Sequence, residues 1–135
     1  MTGQHELQVQ NPIILVVEDD AAVRSSLKFS LEIDGFSVRV YPSGGELLSD
    51  ANLPDTGCLV IDYNLSQTNG LELLGKLRER RVSMPAILIT NHPNLTLRER
   101  AAAAGALIVE KPLLGNALVD GIRDAVAKRL HGSHG

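Results

Sequence analysis

The sequence predicts an α/β domain built as a doubly wound parallel sheet of five strands with five helices. Five short apolar runs recur along the 135 residues, and each is followed by a stretch with helical spacing or capping signals. Four of the runs lead into polar residues suited to hold a metal ion or a phosphoryl group: Glu18-Asp19-Asp20, Asp62, Thr90 and Glu110-Lys111-Pro112. Strands alternating with helices call for a parallel sheet, and near-obligatory right-handed crossovers put helices on both of its faces.

The elements follow in order. Ile13–Val17 is uncharged and rich in β-branched residues, as a strand covered on both faces should be. Val23, Leu27, Leu31 and Asp34 then share one helical face, and Gly35 is placed to close that helix in a left-handed conformation. Asp20 fits the N-cap of this helix, which leaves Asp19 to point to a metal. Phe36, Val38 and Val40 alternate with Ser37 and Arg39, the pattern of a less buried strand near an edge. Ser43-Gly44-Gly45-Glu46 has capping-box spacing, so a short helix starts there and fades before Pro54.

Gly57–Ile61 is the third strand, and the loop from Tyr63 to Asn69 is rich in turn formers. Gly70–Arg81 is a helix carrying Leu71, Leu74 and Leu77 on neighbouring positions. Pro85–Ile89 is the fourth strand, Asn94 caps a helix ending at Gly105, and Ala106–Glu110 is the fifth strand. The last helix covers about Leu114–Leu130 and turns Leu118, Ile122, Ala125 and Val126 inward. These elements make one domain over residues 13–130, with a flexible N-terminal tail at 1–12 and a short polar tail at 131–135.

Bulk properties narrow the function. Apolar residues are 44% of the chain, enough for a full core at this length. A formal charge of −3 and few aromatic residues give no support to a nucleic-acid or anionic-membrane surface. The single cysteine, Cys58, sits in an apolar run and reads as a buried thiol in a reducing compartment. No apolar stretch approaches a membrane-spanning length and the N-terminus is not signal-like, so a cytoplasmic protein is expected.

In open parallel sheets, ligands bind beyond the carboxyl ends of the strands, where the strand order reverses. Spacing does not give that order; 2-1-3-4-5 is carried over from flavodoxin-like folds. It makes the first and third strands central neighbours and brings Glu18, Asp19 and Asp62 together. Such a cluster is unstable at neutral pH unless a cation screens it or one carboxyl keeps its proton. Oxygen-only ligands with no nearby histidine or thiol suit a hard divalent ion. Mg²⁺ takes one or two carboxylates and keeps several waters, and the backbone carbonyl of Asn64 is a further candidate ligand.

Lys111 and Thr90 flank this cluster on the outer strands. The ammonium offsets negative charge and can hold a phosphoryl oxygen, and the hydroxyl can donate to another. Asp62 is the natural nucleophile, since a carboxylate can form an aspartyl phosphate. Taken singly, Asp62 is a turn aspartate, Thr90 a strand end and Lys111 a solvated lysine; together they would need unrelated coincidences. His92 is read as a solvent-facing loop residue, because no second histidine stands at metal spacing.

Read in order, Val16-Val17-Glu18-Asp19-Asp20, Leu59-Val60-Ile61-Asp62 with Gly70, Ile87-Leu88-Ile89-Thr90, Ala104-Gly105-Ala106 and Glu110-Lys111-Pro112 resemble the receiver domains of two-component response regulators. The resemblance covers nearly the whole chain, about Ile13 to Leu130, and leans to receivers of the nitrogen-fixation regulator type. It implies that Asp62 accepts phosphate from a histidine kinase or a histidine phosphotransfer protein, without direct nucleic-acid or membrane binding. It also implies that Asp19 binds Mg²⁺ directly and Glu18 through water, that Thr90 moves toward the phosphoryl group on activation and Lys111 pairs with it, and that the Lys111–Pro112 bond is cis. Kinase docking is expected near Arg24 and Lys28.

Four positions depart from that family's pattern. Leu65-Ser66 replaces the common Met-Pro, and Asn91 follows the switch threonine where a small residue is usual. The segment from Gly105 to Lys111 is one residue short. Ile108 stands where an aromatic ring normally rotates inward, a movement isoleucine cannot make. The expectation is a stand-alone phosphoacceptor that signals through an unknown downstream protein, a possible homodimer among its forms. Its rivals are a phosphorylation-independent scaffold, a small phosphate-processing enzyme, and the receiver part of a longer DNA-binding transcriptional regulator.

Overall fold

The computed structural model describes residues 12–113 and 115–132. The N-terminal tail up to residue 11, the start of the last helix at Leu114 and the end of the C-terminal tail lie outside them. The elements are β1 (Ile13–Val17), α1 (Ala21–Ile33), β2 (Ser37–Tyr41), α2 (Gly44–Ser49), β3 (Cys58–Asp62), α3 (Gly70–Glu79), β4 (Ala86–Thr90), α4 (Leu95–Ala103), β5 (Ala106–Glu110) and α5 (Ala117–Gly132). All strand pairs are parallel and the sheet order is β2-β1-β3-β4-β5, the flavodoxin-like order expected.

Alternate residues of each strand feed two cores. On one face Leu15, Leu59, Ile61 and Leu88 pack with Leu47 of α2, Leu73, Leu74 and Leu77 of α3 and Ala101 of α4. On the other, Ile14, Val16, Val60 and Ile87 pack with Leu27 and Leu31 of α1 and Leu118, Ile122 and Ala125 of α5. That division follows from the period of two along each strand. β3 and β4 are buried throughout, whereas β2 and β5 at the edges are not.

Helix boundaries follow local chemistry. Asp20 caps α1 as expected, accepting from the N–H groups of Ala22 and Val23 at 2.9 and 3.0 Å. Ser43, Asn69 and Asn94 cap α2, α3 and α4 in the same way. Gly35 and Gly105 take positive φ at the ends of α1 and α4.

Four details differ from the sequence reading. β3 and β4 run one residue further than predicted, so Asp62 and Thr90 are the last residues of their strands. α3 stops at Glu79, two residues early, because Arg81 turns to φ 66° and lets the Val82 N–H bond back to the Leu77 carbonyl. α5 begins at Ala117, after a left-handed Gly115. Val23, expected on the inner face of α1, is 41% exposed. The first turn of α1 extends past the carboxyl end of the sheet, so its apolar side chain has no strand beneath it.

Candidate functional site

β1 and β3 are hydrogen-bonded neighbours with Val17 opposite Ile61, so the next residues, Glu18 and Asp62, emerge side by side. Asp62 lies opposite Ile89 and Thr90 opposite Glu110, which sets Lys111 just beyond Thr90. Among the described residues, the buried polar side chains are Glu18, Asp62 and Thr90, at 4%, 4% and 1% exposure. Lys111 Nζ donates to Asp62 Oδ2 at 2.9 Å. One predicted grouping, Asp62 with Lys111, is thus a direct contact.

The acidic side of the site is crowded. Burial pushes the Glu18 carboxyl up to about 7, and hydrogen-bonding contact with Asp62 adds to the rise. The Asp20 N–H, 3.0 Å from Glu18 Oε2, pulls the other way, while the Asp62 charge and contact with Asp19 raise it further. The Asp19 side chain is exposed and also lines a cleft of about 180 Å³ with Ser43, Leu65 and Lys76. Among the described residues, no three histidine, cysteine, aspartate or glutamate side chains already form a metal-holding group.

Backbone contacts fix the loops around Asp62. The Asn64 N–H donates to Asp62 Oδ1 at 2.8 Å, and Asn64 bridges to Asn69 across the loop. Tyr63 donates to the Ile89 carbonyl, and Gly70 donates to that of Tyr63, each at 2.8 Å. A Cβ on Gly70 would sit 2.8 Å from the Asp62 carbonyl oxygen, closer than real contacts allow, so glycine is required there by the approach of α3 to the site. Thr90 Oγ1 accepts from the His92 N–H at 3.2 Å, which leaves the hydroxyl proton available to a ligand. The Lys111 N–H donates to the Thr90 carbonyl at 2.8 Å, and the Lys111–Pro112 bond is cis, as expected. His92 is exposed, as read from sequence.

Arg24 was expected to meet a kinase, but its pairing within the site, like that of Tyr41, was not legible. Arg24 Nη1 donates to the Glu18 carbonyl at 2.9 Å and more weakly to that of Asp19 at 3.5 Å, and the Glu18 N–H donates to the Tyr41 carbonyl at 3.1 Å. Neither pairing leaves a signal in the sequence. Arg24 thereby braces the acidic loop, and Lys28, the other cation expected to meet a kinase, pairs with Glu32 at 2.7 Å. Ile108 is half-buried against the α2–α4 core. Cys58 is fully buried, and burial pushes its thiol up to about 12, so it is inert.

Comparison with known proteins adds a family. A family model described as the response regulator receiver domain matches residues 14–130. The chain is 37% identical over 115 residues to the transcriptional regulatory protein FixJ of Azorhizobium caulinodans, covering 84% of this chain and 54% of that protein. It is 33% identical over 111 residues to FixJ of Rhizobium meliloti, covering 82% and 54%. The chain spans about half the length of these curated relatives. The crystal structure of FixJ-N superposes with a TM-score of 0.79 at 32% identity, covering 87% of this chain and 95% of that one. Among the described residues no helix is long and apolar enough to cross a membrane.

Proposed function

This chain belongs to the response regulator receiver family, and we propose that Asp62 is its phosphoacceptor. Receivers of two-component systems are phosphorylated on an aspartate by histidine kinases or phosphotransfer partners, and they catalyse both the transfer and the later dephosphorylation themselves. The observation that carries the assignment to Asp62 is its burial at the carboxyl end of the central strand with Lys111 on one oxygen. In the transfer, an Asp62 oxygen forms the new P–O bond as the P–N bond to the donor histidine breaks. The electron pair of that bond stays on the ring nitrogen. Lys111 and the Thr90 hydroxyl stabilise the phosphoryl oxygens.

The residues fit Mg²⁺. The donor set is oxygen only, and Glu18 and Asp62 emerge side by side at the ends of β1 and β3 with Asp19 next in the chain, a gathering of carboxylates that a hard divalent cation would relieve. Asp19, Asp62 and the Asn64 carbonyl would hold it, with Glu18 acting through water. When bound, the ion supplies charge neutralisation on the phosphoryl oxygens. Because Mg²⁺ keeps several waters, it does not need three side chains already caged around it.

Output through protein contacts is part of the same reading. The span of about half of relatives named as transcriptional regulators favours a second form of it, in which the chain is the receiver portion of such a regulator. Amide NMR spectra with beryllofluoride and Mg²⁺ test the assignment. Large shifts around Asp62, Thr90 and Lys111 are expected in the wild type and none in Asp62→Asn. Equal spectra for the two proteins would favour a phosphorylation-independent scaffold.

A further inference from the structure

At the edge of the sheet opposite Asp62, the amino ends of β4 and β5 carry an open cleft of about 440 Å³. Small side chains line it from three elements: Ala102 of α4, Ala106 of β5 and Ala125 of α5. The effect shows on β5, where Leu107 and Val109 share a face by strand alternation. Val109 is buried in the core beneath α1 and α5, whereas Leu107 joins neither core and is 40% exposed along the cleft. Two cations border the same space. The Arg78 guanidinium is held in place by the carbonyls of Ala104, Val82 and Met84 at 2.9, 2.9 and 2.7 Å. Lys128 of α5 makes no ion pair among the described residues. Among those residues no carboxylate lines the cleft, although the chain carries a formal charge of −3.

We propose that this cleft binds a small organic anion, an apolar ring or short chain ending in a carboxylate. Its volume is that of small-molecule sites, which combine mostly apolar walls with a few charged or polar groups. The apolar part of the ligand covers Leu107 and the three alanines and takes their methyl groups out of water. The carboxylate pairs with Lys128 Nζ in the positive field of Arg78, whose backbone bonds fix its position beforehand. A neutral ligand forgoes the charge, and a bare inorganic anion forgoes the apolar contact, so the two features together set the class. Binding at this edge does not depend on which residue accepts phosphate.

The test follows the methyl NMR signals of Ala102, Ala106, Leu107 and Ala125 in the full chain during titration with benzoate and with hexanoate. Benzyl alcohol and inorganic phosphate are the controls, one lacking the charge and the other the apolar part. At least one of the two carboxylates should shift these signals saturably and bind more tightly than either control. Lys128→Gln should weaken that binding about threefold, the scale of an exposed ion pair. Leu107→Ser should weaken it about fourfold or more, the effect of about one buried methylene. Thermal melts and unmoved signals from the opposite edge of the sheet establish that both variants are folded. No saturation with either carboxylate, equal affinity for a control, or a folded variant that binds like the wild type would overturn the proposal.

Discussion

Lys111 and Asp62 meet at 2.9 Å across the width of β4, one from the end of an edge strand and the other from the centre of the sheet. The aspartate is almost wholly buried and the lysine is 32% exposed. Lys111→Ala would leave the buried Asp62 side chain beside Glu18 and Asp19 without its cation. We expect a loss of about 1–3 kcal/mol in unfolding free energy, below the figure for a fully buried pair because water reaches the ammonium. Urea unfolding checks this. The double variant Asp62→Asn with Lys111→Ala should recover much of the loss, since the two residues act as a pair.

The Glu18 carboxyl sets the pH dependence. Its folded value of about 7 lies above the ordinary 4.5, chiefly through burial and then through Asp62. Between those values the folded state holds a proton that the unfolded chain has released, so stability falls as pH rises from about 4.5 through 7. The full effect of Glu18 alone is at most about 3 kcal/mol. Unfolding at pH 5 and pH 8 in the absence of divalent ions should show this loss in the wild type. In Glu18→Gln it should be much smaller. A wild type more stable at pH 8 than at pH 5 by the same margin as the variant would contradict the assignment.

Arg81 holds φ 66° at the end of α3, a left-handed conformation that glycine adopts without steric cost. The Val82 N–H to Leu77 carbonyl bond depends on that turn. Arg81→Gly should therefore stabilise the domain by roughly 1 kcal/mol, measured as a higher urea midpoint with an unchanged slope. A lower midpoint would mean that the arginine side chain contributes more than the backbone strain costs.

Much of this site was legible because it is written at strand ends. The apolar runs fixed where the strands stop to within a residue, and parallel strands bring their ends to one edge. Asp20 could be told from Asp19 because an N-cap needs a carboxylate one residue before the helix. Val23 could not be placed, since helical spacing gives a face but not how far the helix extends beyond the sheet. Arg24 was opaque for a related reason: its partner is a backbone carbonyl, and carbonyls carry no side-chain signal. The early end of α3 was hidden as well, because arginine has no conformational preference that announces a left-handed residue. Strand order had to be carried over from like folds, as spacing constrains neighbours in sequence and not in the sheet.

Intact-protein mass spectrometry after incubation with acetyl phosphate and Mg²⁺ reads phosphorylation at Asp62 without an intermediary. The wild type should gain the mass of one phosphoryl group, a gain lost when Mg²⁺ is chelated beforehand and absent from Asp62→Asn. Labelling of Asp62→Asn to the same extent, or a wild type that stays at its starting mass, would contradict it.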